Sequence, residues 1–437
     1  MKYVDLESRN HRVLFAGIFS FVWILIYYIS QFGYVQLVGK CLSILLIIQA
    51  LWLIFRSYLK KNIVYVVIFG FVFLYTWPTK LFFFDGIYFS AHNLEYTYYT
   101  AITTTLIFSL FLIVINGMLK IPFSHEMQKL PSRKNDIIFY ILFIITFIII
   151  ITCKRSGNVY MGEDTGVSSL NEYVIILFLV LNIYCTKSDK FKNCLLIILY
   201  LLYSGFALMN GGRIEVVLIA MLLLVIRFQY TISFRKILLL FVLIVWVMGI
   251  FGKIRSNPTI LFRGDIVNIV NPFSSEERIL NCQGTNEGDV FWASERMFVL
   301  INDDKLSFEE RIVAGIEFLL SSFIPRSYLS SLANLSNYKE EIVTTGGGGL
   351  APIFIYVMFG FFGVVLLGIF VAKMLNSLAG SPTIIVQFYT ILMIVMLPRW
   401  FAYYPIHLIR FCVFGLIFLY FTISFDNTLR KYINKSI

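Results

Sequence analysis

Apolar runs of about 20 residues recur along the whole of this 437-residue chain. An α-helix of about 20 apolar residues spans the hydrocarbon core of a bilayer, which is roughly 30 Å thick. Hydrophobic residues make up 59% of the chain and charged residues 14%, which is more apolar surface than a soluble domain can bury. The sequence therefore predicts an all-α, polytopic bundle of membrane helices. The first run starts at Val13 without a small-residue cleavage site, so we expect a retained span and not a signal peptide.

Hydropathy predicts about twelve spans. They run over residues 13–31, 35–55, 62–84, 97–118, 136–152, 170–186, 191–210, 213–230, 234–252, 350–372, 382–398 and 403–424. The first nine spans form an N-terminal bundle over residues 1–252, and the last three, with a C-terminal tail, occupy residues 350–437. Between them lies a loop over residues 253–349, which is too long for a simple connection.

The charges of the loops predict which side of the membrane each loop faces, because cytoplasmic loops are rich in Lys and Arg. The loops after spans 2, 4, 6 and 8 are net basic, and so is the C-terminal tail. Both termini are therefore predicted to be cytoplasmic, and the net charge of +11 needs no nucleic acid as its explanation. The 253–349 loop carries nine Lys or Arg and thirteen Asp or Glu, a net charge of −4, and falls on the outer side.

Part of this outer loop has the periodicity of an amphipathic helix. Residues 307–324 place four apolar side chains at intervals of four, three and four: Ile312, Ile316, Leu319 and Phe323. Because such intervals align side chains along one helix face, we expect amphipathic helices that lie on the outer mouth of the bundle.

Several fixed positive charges from separate spans are predicted to collect near the outer face: Arg213 in "LMNGGRIEVVLIA" (208–220), Lys253, Arg255, Arg399 and Arg410. An arginine inside a membrane span indicates a functional site by default, and its planar fork suits phosphate. Plainer readings stay open for four of them, and for Arg410 this is a purely structural role. Arg213 can extend its charge to the outer surface or pair with Glu215, and Lys253 and Arg255 can be ordinary interfacial charges.

The segment "PRWFAYYPIHLIRF" (398–411) is the richest in such groups. Arg399, Tyr403, His407 and Arg410 are four, four and three residues apart, so one continuous helix would align all of them on one face. Pro405 can instead be the first helical residue of the last span, and in either case His407 and Arg410 share a face. Arg410 is predicted to lie about two turns into this span. His407 is either a structural residue or, beside arginines, a neutral proton acceptor.

Motifs for metal or nucleotide chemistry are missing from the sequence. It contains no Walker loop, zinc-ligand cluster, nucleophile elbow or Asp-x-Asp pair, and its six cysteines lack metal-type spacing. We therefore expect no metal and no other cofactor. Four consecutive glycines at 346–349 indicate either a flexible hinge or a loop whose backbone N–H groups approach an anion.

Four motifs occur in a recognisable order along the chain: "NGGRIE" (210–215), "FIPR" (323–326), "GLAPIFIYVMFGFFG" (349–363) and "PRW…HLIR" (398–410). With the many spans and the large outer loop, they resemble the oligosaccharide repeat-unit polymerases, the Wzy-type O-antigen polymerases of bacterial inner membranes. The resemblance implies the architecture of C-type glycosyltransferases, with both termini cytoplasmic.

The resemblance also implies a reaction. The growing glycan leaves undecaprenyl diphosphate and joins a hydroxyl of an incoming lipid-linked repeat unit at the periplasmic face, without a metal. Besides this lipid-linked oligosaccharide, membrane lipid and a chain-length regulator protein are the implied partners. Arginines would bind the leaving diphosphate, and a base would activate the acceptor hydroxyl. His407 is the first candidate base, and an acidic residue of the outer loop is the second.

The residues implied to bind the diphosphate or the glycan are Arg213, Arg255, Arg326, Arg399, Tyr403 and Arg410, and those implied in catalysis are His407, Arg213 and Arg410. Two other functions stay open from the sequence. One is an O-antigen ligase, which uses the same donor. The other is a flippase or exporter that only moves a lipid-linked glycan across the membrane.

Overall fold

The computed structural model describes residues 8–30, 33–86, 94–153, 169–186, 188–209, 214–228, 235–236, 239, 286–324, 328–342, 348–380 and 383–435. Helices and their connections make up all of these ranges, which contain no β-strand. The helices cluster into two compact units. Unit 1 comprises Met1–Met127, Glu276–Gly380 and Arg399–Arg410, and unit 2 comprises Gln128–Ser275, Ser381–Pro398 and Phe411–Ile437. These units cut across the three parts that were predicted in chain order.

The described part of residues 8–228 contains nine α-helices: α1 (Arg9–Ser30), α2 (Val35–Leu59), α3 (Ile63–Leu74), α4 (Trp77–Asp85), α5 (Leu94–Met118), α6 (Asp136–Thr152), α7 (Ser169–Ile183), α8 (Lys190–Met209) and α9 (Ile214–Leu223). A π-helical segment, Leu224–Phe228, continues α9.

The described part from residue 286 onward forms eight more: α10 (Asn286–Glu295), α11 (Val299–Asn302), α12 (Phe308–Leu320), α13 (Leu335–Ile342), α14 (Ala351–Gly380), α15 (Ile384–Val395), α16 (Leu397–Ala402) and α17 (Ile406–Lys435).

The membrane-helix architecture agrees with the sequence, and the described residues do not confirm the full count of twelve spans. Seven stretches of the described residues are long and apolar enough to cross a membrane: Arg9–Ser30, Val35–Leu59, Ile63–Asp85, Tyr98–Met118, Lys190–Leu208, Ala351–Gly380 and Ile406–Tyr432. The helices α6, α7 and α15 are apolar but shorter, with 17, 15 and 12 residues. Predicted span 9 (234–252) lies almost entirely outside the described residues.

A buried arginine, Arg56, caps the C-terminal end of α5 in unit 1. The Arg56 side chain, 2% exposed, donates hydrogen bonds to Asn116 O (3.1 Å) and Leu119 O (2.7 Å). The last four carbonyls of a helix lack intrahelical N–H partners, and a positive charge there also opposes the negative end of the helix dipole. Arg12 adds a third such bond, from Nη1 to Met118 O at 3.0 Å.

The described part of the large loop packs at the other end of unit 1. Phe291 of α10 belongs to the same buried cluster as Ile26, Phe82 and Ala101, which lie far along the chain from the Arg12 and Arg56 contacts. The start of α1 and the end of α5 therefore share one end of the unit, and the loop helices cover the opposite end. The loop charges predict that this covered end faces outward.

The amphipathic helix predicted at 307–324 is confirmed as α12. Ser307 and Glu310 form a capping box, in which each side chain accepts a hydrogen bond from the other residue's backbone N–H. The predicted stripe of Ile312, Ile316, Leu319 and Phe323 is exposed, between 41% and 68%. The face that packs on α14 instead carries Gly315, whose missing Cβ leaves room for the Phe359 ring. The predicted apolar stripe is therefore not the face that packs on α14.

A break at Gly360 divides α14 into two half-helices. Gly360 has φ 62° and ψ −161°, a region that glycine alone adopts without strain. Carbonyl groups at a helix terminus are the backbone acceptors that need donors from outside the helix. Arg311 of α12 donates to two carbonyls in the turn before the break, from Nε to Val357 O (2.6 Å) and from Nη2 to Tyr356 O (3.3 Å). The arginine thus satisfies the backbone at the break and holds α12 against the first half-helix.

Unit 2 is organised around a buried carboxylate near the end of α17. Asp426, fully buried, accepts hydrogen bonds from Asn135 Nδ2 (2.7 Å), Arg430 Nε (2.9 Å), Arg133 Nη1 (3.2 Å) and Tyr184 OH (3.3 Å). Arg430 lies on α17 itself, Arg133 and Asn135 lie just before α6, and Tyr184 follows α7, so the cluster fixes the end of α17 against the start of α6 and the residue that follows α7.

Replacing Arg311 by Met should leave Val357 O without its donor. We expect Arg311→Met to lower the free energy of unfolding by about 2 kcal/mol, the usual size for a hydrogen bond to a charged group. Thermal unfolding of the detergent-purified protein measures this. The exposed Lys305→Met in the same loop is the matched control and should change little; equal effects from both variants would contradict the capping role.

Single cysteines in a background without the six native ones should report the orientation. A membrane-impermeant maleimide added to intact cells should label Ser331→Cys in the outer loop. It should leave His125→Cys and Thr428→Cys unlabelled, as representatives of the predicted cytoplasmic segments 120–135 and 427–437. All three positions are exposed or half-exposed. External labelling of His125→Cys or Thr428→Cys would invert the predicted topology.

Candidate functional site

Residues 399–410, all in unit 1, form a bend that we call the elbow. The short helix α16 ends at Ala402, and α17 begins at Ile406. Tyr403 N and Tyr404 N both donate to Arg399 O, at 3.2 and 3.0 Å, which closes α16. Pro405 follows directly and has no N–H with which to continue that helix. The expectation of one continuous helix over 399–410 is therefore wrong, and the alternative, a new helix starting at Pro405, is correct to within one residue.

Aromatic packing fixes the elbow in place. The Phe401 ring, fully buried, lies 5.8 Å from the rings of both Tyr75 and Phe108, between centroids, and 6.3 Å from that of Phe111. Trp400 beside it is 2% exposed. Because Phe108 and Phe111 lie one turn apart on α5, α16 is held against the best-buried helix of the unit.

The elbow brings the predicted residues together in two pairs. The Arg399 guanidinium lies 6.0 Å from the centre of the Tyr403 ring, which is cation–π distance. His407 and Arg410 are three residues apart on α17 and so share a face, as predicted. Arg410 lies four residues after the start of α17, about one turn and not two. Its side chain is exposed, so it is not sunk in the interior of the unit.

Tyr404 joins the elbow to the large loop, and the sequence analysis did not single it out. Its hydroxyl donates to Ala333 O at 2.8 Å. Its ring makes edge contacts with Phe318 of α12 at 5.8 Å and with Phe354 of α14 at 5.5 Å. A tyrosine adjacent to the predicted Tyr403 carries no periodic signal that would mark it. The loop helices therefore cover the elbow through a residue that spacing alone could not select.

Two glycines of the "GGGG" stretch let the chain pass closely between the elbow and α10. Gly348 and Gly349 have φ of 148° and 153°, which other residues rarely adopt. A Cβ on Gly348 would lie 3.4 Å from the Tyr403 ring, and one on Gly349 would lie 2.9 Å from the Phe354 ring. The backbone conformation favours glycine at both positions, and close packing adds a reason only at Gly349, since a Cβ on Gly348 would make an ordinary contact; residues 346–347 lie outside the described ranges.

Hydrogen bonds fasten this glycine connection to the end of α10. Leu350 N donates to Ser294 Oγ at 2.7 Å. Lys339 of α13, fully buried, donates from Nζ to Gly348 O (3.0 Å) and Ala293 O (3.2 Å). A buried ammonium that bonds two carbonyls ties three segments of the loop together. The end of α10 is therefore held close to the elbow.

Glu295, the last residue of α10, is a buried acid of the outer loop. Its side chain is 3% exposed, and no hydrogen bond to Oε1 exists within the described residues. Burial raises the pKa of this carboxyl well above its ordinary value of 4.5, against a smaller opposing effect of Arg296. The sequence analysis named outer-loop acids only as a class. Burial distinguishes Glu295 within it, and a sequence pattern does not reveal that burial.

Four predicted cations lie outside the described residues: Arg213, Lys253, Arg255 and Arg326. The structure therefore brings together Arg399, Tyr403, His407 and Arg410 and says nothing of the other four. Within the described ranges, no three of His, Cys, Asp and Glu are grouped as a metal site would require. Metal independence remains a prediction.

Comparison with known proteins finds no matching family model, no matching curated protein and no matching solved structure.

The raised pKa of Glu295 makes a prediction about stability. The unfolded chain ionises this carboxyl above about pH 4.5, whereas the folded chain resists ionisation, so native stability should fall as pH rises through that value. Glu295→Gln cannot ionise, so its melting temperature should exceed that of the wild type by a margin that grows from pH 5 to pH 8. Glu309→Gln, at an exposed position of the same loop, is the control. A margin independent of pH would contradict the burial of Glu295.

Proposed function

We propose that this protein is a metal-independent membrane glycosyltransferase that polymerises oligosaccharide repeat units carried on undecaprenyl diphosphate, in a bacterial inner membrane. The observation that carries the proposal is the elbow. It holds the Arg399–Tyr403 pair beside the start of a helix with His407 and Arg410 on one face, under a cover of helices from the large loop.

The residues of the elbow match what such a transfer needs. As the bond between the sugar and the diphosphate breaks, negative charge develops on the leaving phosphate, and guanidinium groups stabilise that charge. Arg410 is the exposed cation at the start of α17, and Arg399 is half-exposed next to Tyr403. Arg213, Arg255 and Arg326 complete the proposed set of phosphate-binding cations.

Activation of the acceptor is the second requirement. A sugar hydroxyl becomes a nucleophile when a base accepts its proton, and His407, on the same helix face as Arg410, is the proposed base. The hydroxyl oxygen then bonds to the anomeric carbon, the bond to the diphosphate breaks, and the proton resides on the imidazole.

The lipid part of the substrate suits the surface of α12. Its outward stripe, which includes Ile316 (51% exposed) and Leu319 (45%), is apolar and lies on the same helix as Phe318, a ring that contacts Tyr404 of the elbow. An apolar helix face beside the proposed phosphate site gives the polyprenyl chain a surface to lie against while its diphosphate reaches the arginines.

Two substitutions should separate the proposed roles. Arg410→Ala removes a charge-assisted contact to the diphosphate, so chain extension should fall about 100-fold, with partial recovery in Arg410→Lys because lysine lacks the planar fork. Arg213→Ala should behave like Arg410→Ala. His407→Ala should slow transfer and leave binding of the lipid-linked donor nearly unchanged. Polysaccharide chain length in cells and donor binding by purified protein are the two measurements.

Exposed residues of the same types provide controls. Arg9→Ala and His125→Ala should extend chains normally. Wild-type chain lengths from Arg410→Ala would refute the diphosphate assignment. Products that appear only on lipid A core, or transbilayer movement of the lipid-linked glycan without bond formation, would replace the polymerase with a ligase or a flippase.

A further inference from the structure

Two buried polar atoms on α10 lack hydrogen-bond partners within the described part of the chain: Trp292 Nε1 and Glu295 Oε1. Trp292 and Glu295 are three residues apart on one helix and therefore neighbour each other on its surface, with Cβ atoms about 5–6 Å apart. Buried polar groups are nearly always hydrogen-bonded, and one without a partner destabilises the fold. A pair on one face calls for a ligand that satisfies both.

The two atoms have opposite requirements. The indole N–H only donates, and the carboxyl oxygen accepts. A hydroxyl group meets both at once, because its oxygen accepts from Trp292 and its hydrogen is donated to Glu295. The indole ring also packs against apolar side chains, which holds its plane in place. Aromatic rings with such a polar edge bind ligands that are apolar on one side and polar at the rim, as sugar rings are.

The distance between α10 and the elbow determines how long a ligand must be to reach both. Ser294 Oγ accepts from Leu350 N at 2.7 Å, and Gly348, two residues earlier, lies against the Tyr403 ring. Two residues of chain span at most about 7 Å, so the end of α10 lies within roughly 13 Å of the elbow. An oligosaccharide whose diphosphate end occupies the elbow therefore reaches α10 with its sugars.

We infer that Trp292 and Glu295 form a subsite that binds a hydroxyl of the glycan substrate. The inference rests on the proposed function, which supplies the glycan and its diphosphate end. It adds a site that neither the motifs nor the elbow contain. The raised pKa of Glu295 is consistent with it, because a neutral carboxyl keeps acceptor lone pairs without the cost of a buried charge.

The test measures binding and stability of the full-length purified protein with Glu295→Met and Trp292→Phe. The probe is a set of oligosaccharides from the surface polysaccharide of the source cells, prepared by partial acid hydrolysis. Each variant should weaken oligosaccharide binding about tenfold, the effect of one lost hydrogen bond of ordinary strength. Glu295→Met should also raise the melting temperature at pH 7, because it removes an unpartnered buried carboxyl. Glu309→Met and Trp77→Phe, both at exposed positions, are the matched controls and should change neither quantity.

The outcomes distinguish this subsite from the proposed reaction. The subsite is wrong if both variants bind oligosaccharide as tightly as the wild type, or if the wild type binds none. It is also wrong if Glu295→Met lowers the melting temperature and leaves binding unchanged, because that result indicates a structural water. If the wild type and both variants polymerise with the same KM, the subsite is wrong and the proposed polymerase stands. If the wild type binds oligosaccharide, both variants lose binding, and no chain extension occurs, then the subsite stands and the polymerase is refuted.

Discussion

A backbone carbonyl that cannot reach water must find its hydrogen bond inside the protein, and this constraint organises unit 1. Where α5 ends, Arg56 and Arg12 supply donors, and where α14 breaks, Arg311 supplies them. Leaving a buried carbonyl without a partner costs about 1–3 kcal/mol, so the arginines stabilise the places where these helices end or break. Arginine suits the task because one side chain carries five N–H donors and keeps its charge.

The sequence predicts the helical membrane architecture because apolar length is a local property. It also places His407 and Arg410 on one face, since a spacing of three residues holds within any helix. It does not predict where long apolar runs are interrupted, as between α3 and α4 or at Gly360, because each run stays long and apolar enough to be read as a single span across the break. Run length alone therefore yields more full spans than the described helices support.

In the candidate site, too, some residues follow from spacing in the sequence and others depend on tertiary packing. Arg399 and Tyr403 were identified by spacing and are neighbours even though the helix between them ends. Tyr404 and Glu295 were not identified individually, because contact with Ala333 and burial at the end of α10 depend on segments more than 40 residues away or on tertiary packing. At Glu295 and Trp292, the stability of the fold and the proposed binding role favour different side chains. An apolar pair would pack at lower cost, and the proposed glycan contact would account for the two polar atoms that are retained there.

The contact between Arg311 and Val357 has a consequence for biosynthesis. The two residues are 46 positions apart, and the arginine is made first. At roughly 5–20 residues per second, ribosomes complete α12 a few seconds before the carbonyl that Arg311 will bond. During that interval α12 has its apolar stripe but no half-helix to pack on, and an amphipathic helix in that state is held by the membrane surface. We therefore expect α12 to stay at the membrane interface until α14 has been inserted. The bonds from Arg311 to the carbonyls beside the break at Gly360 form only afterwards.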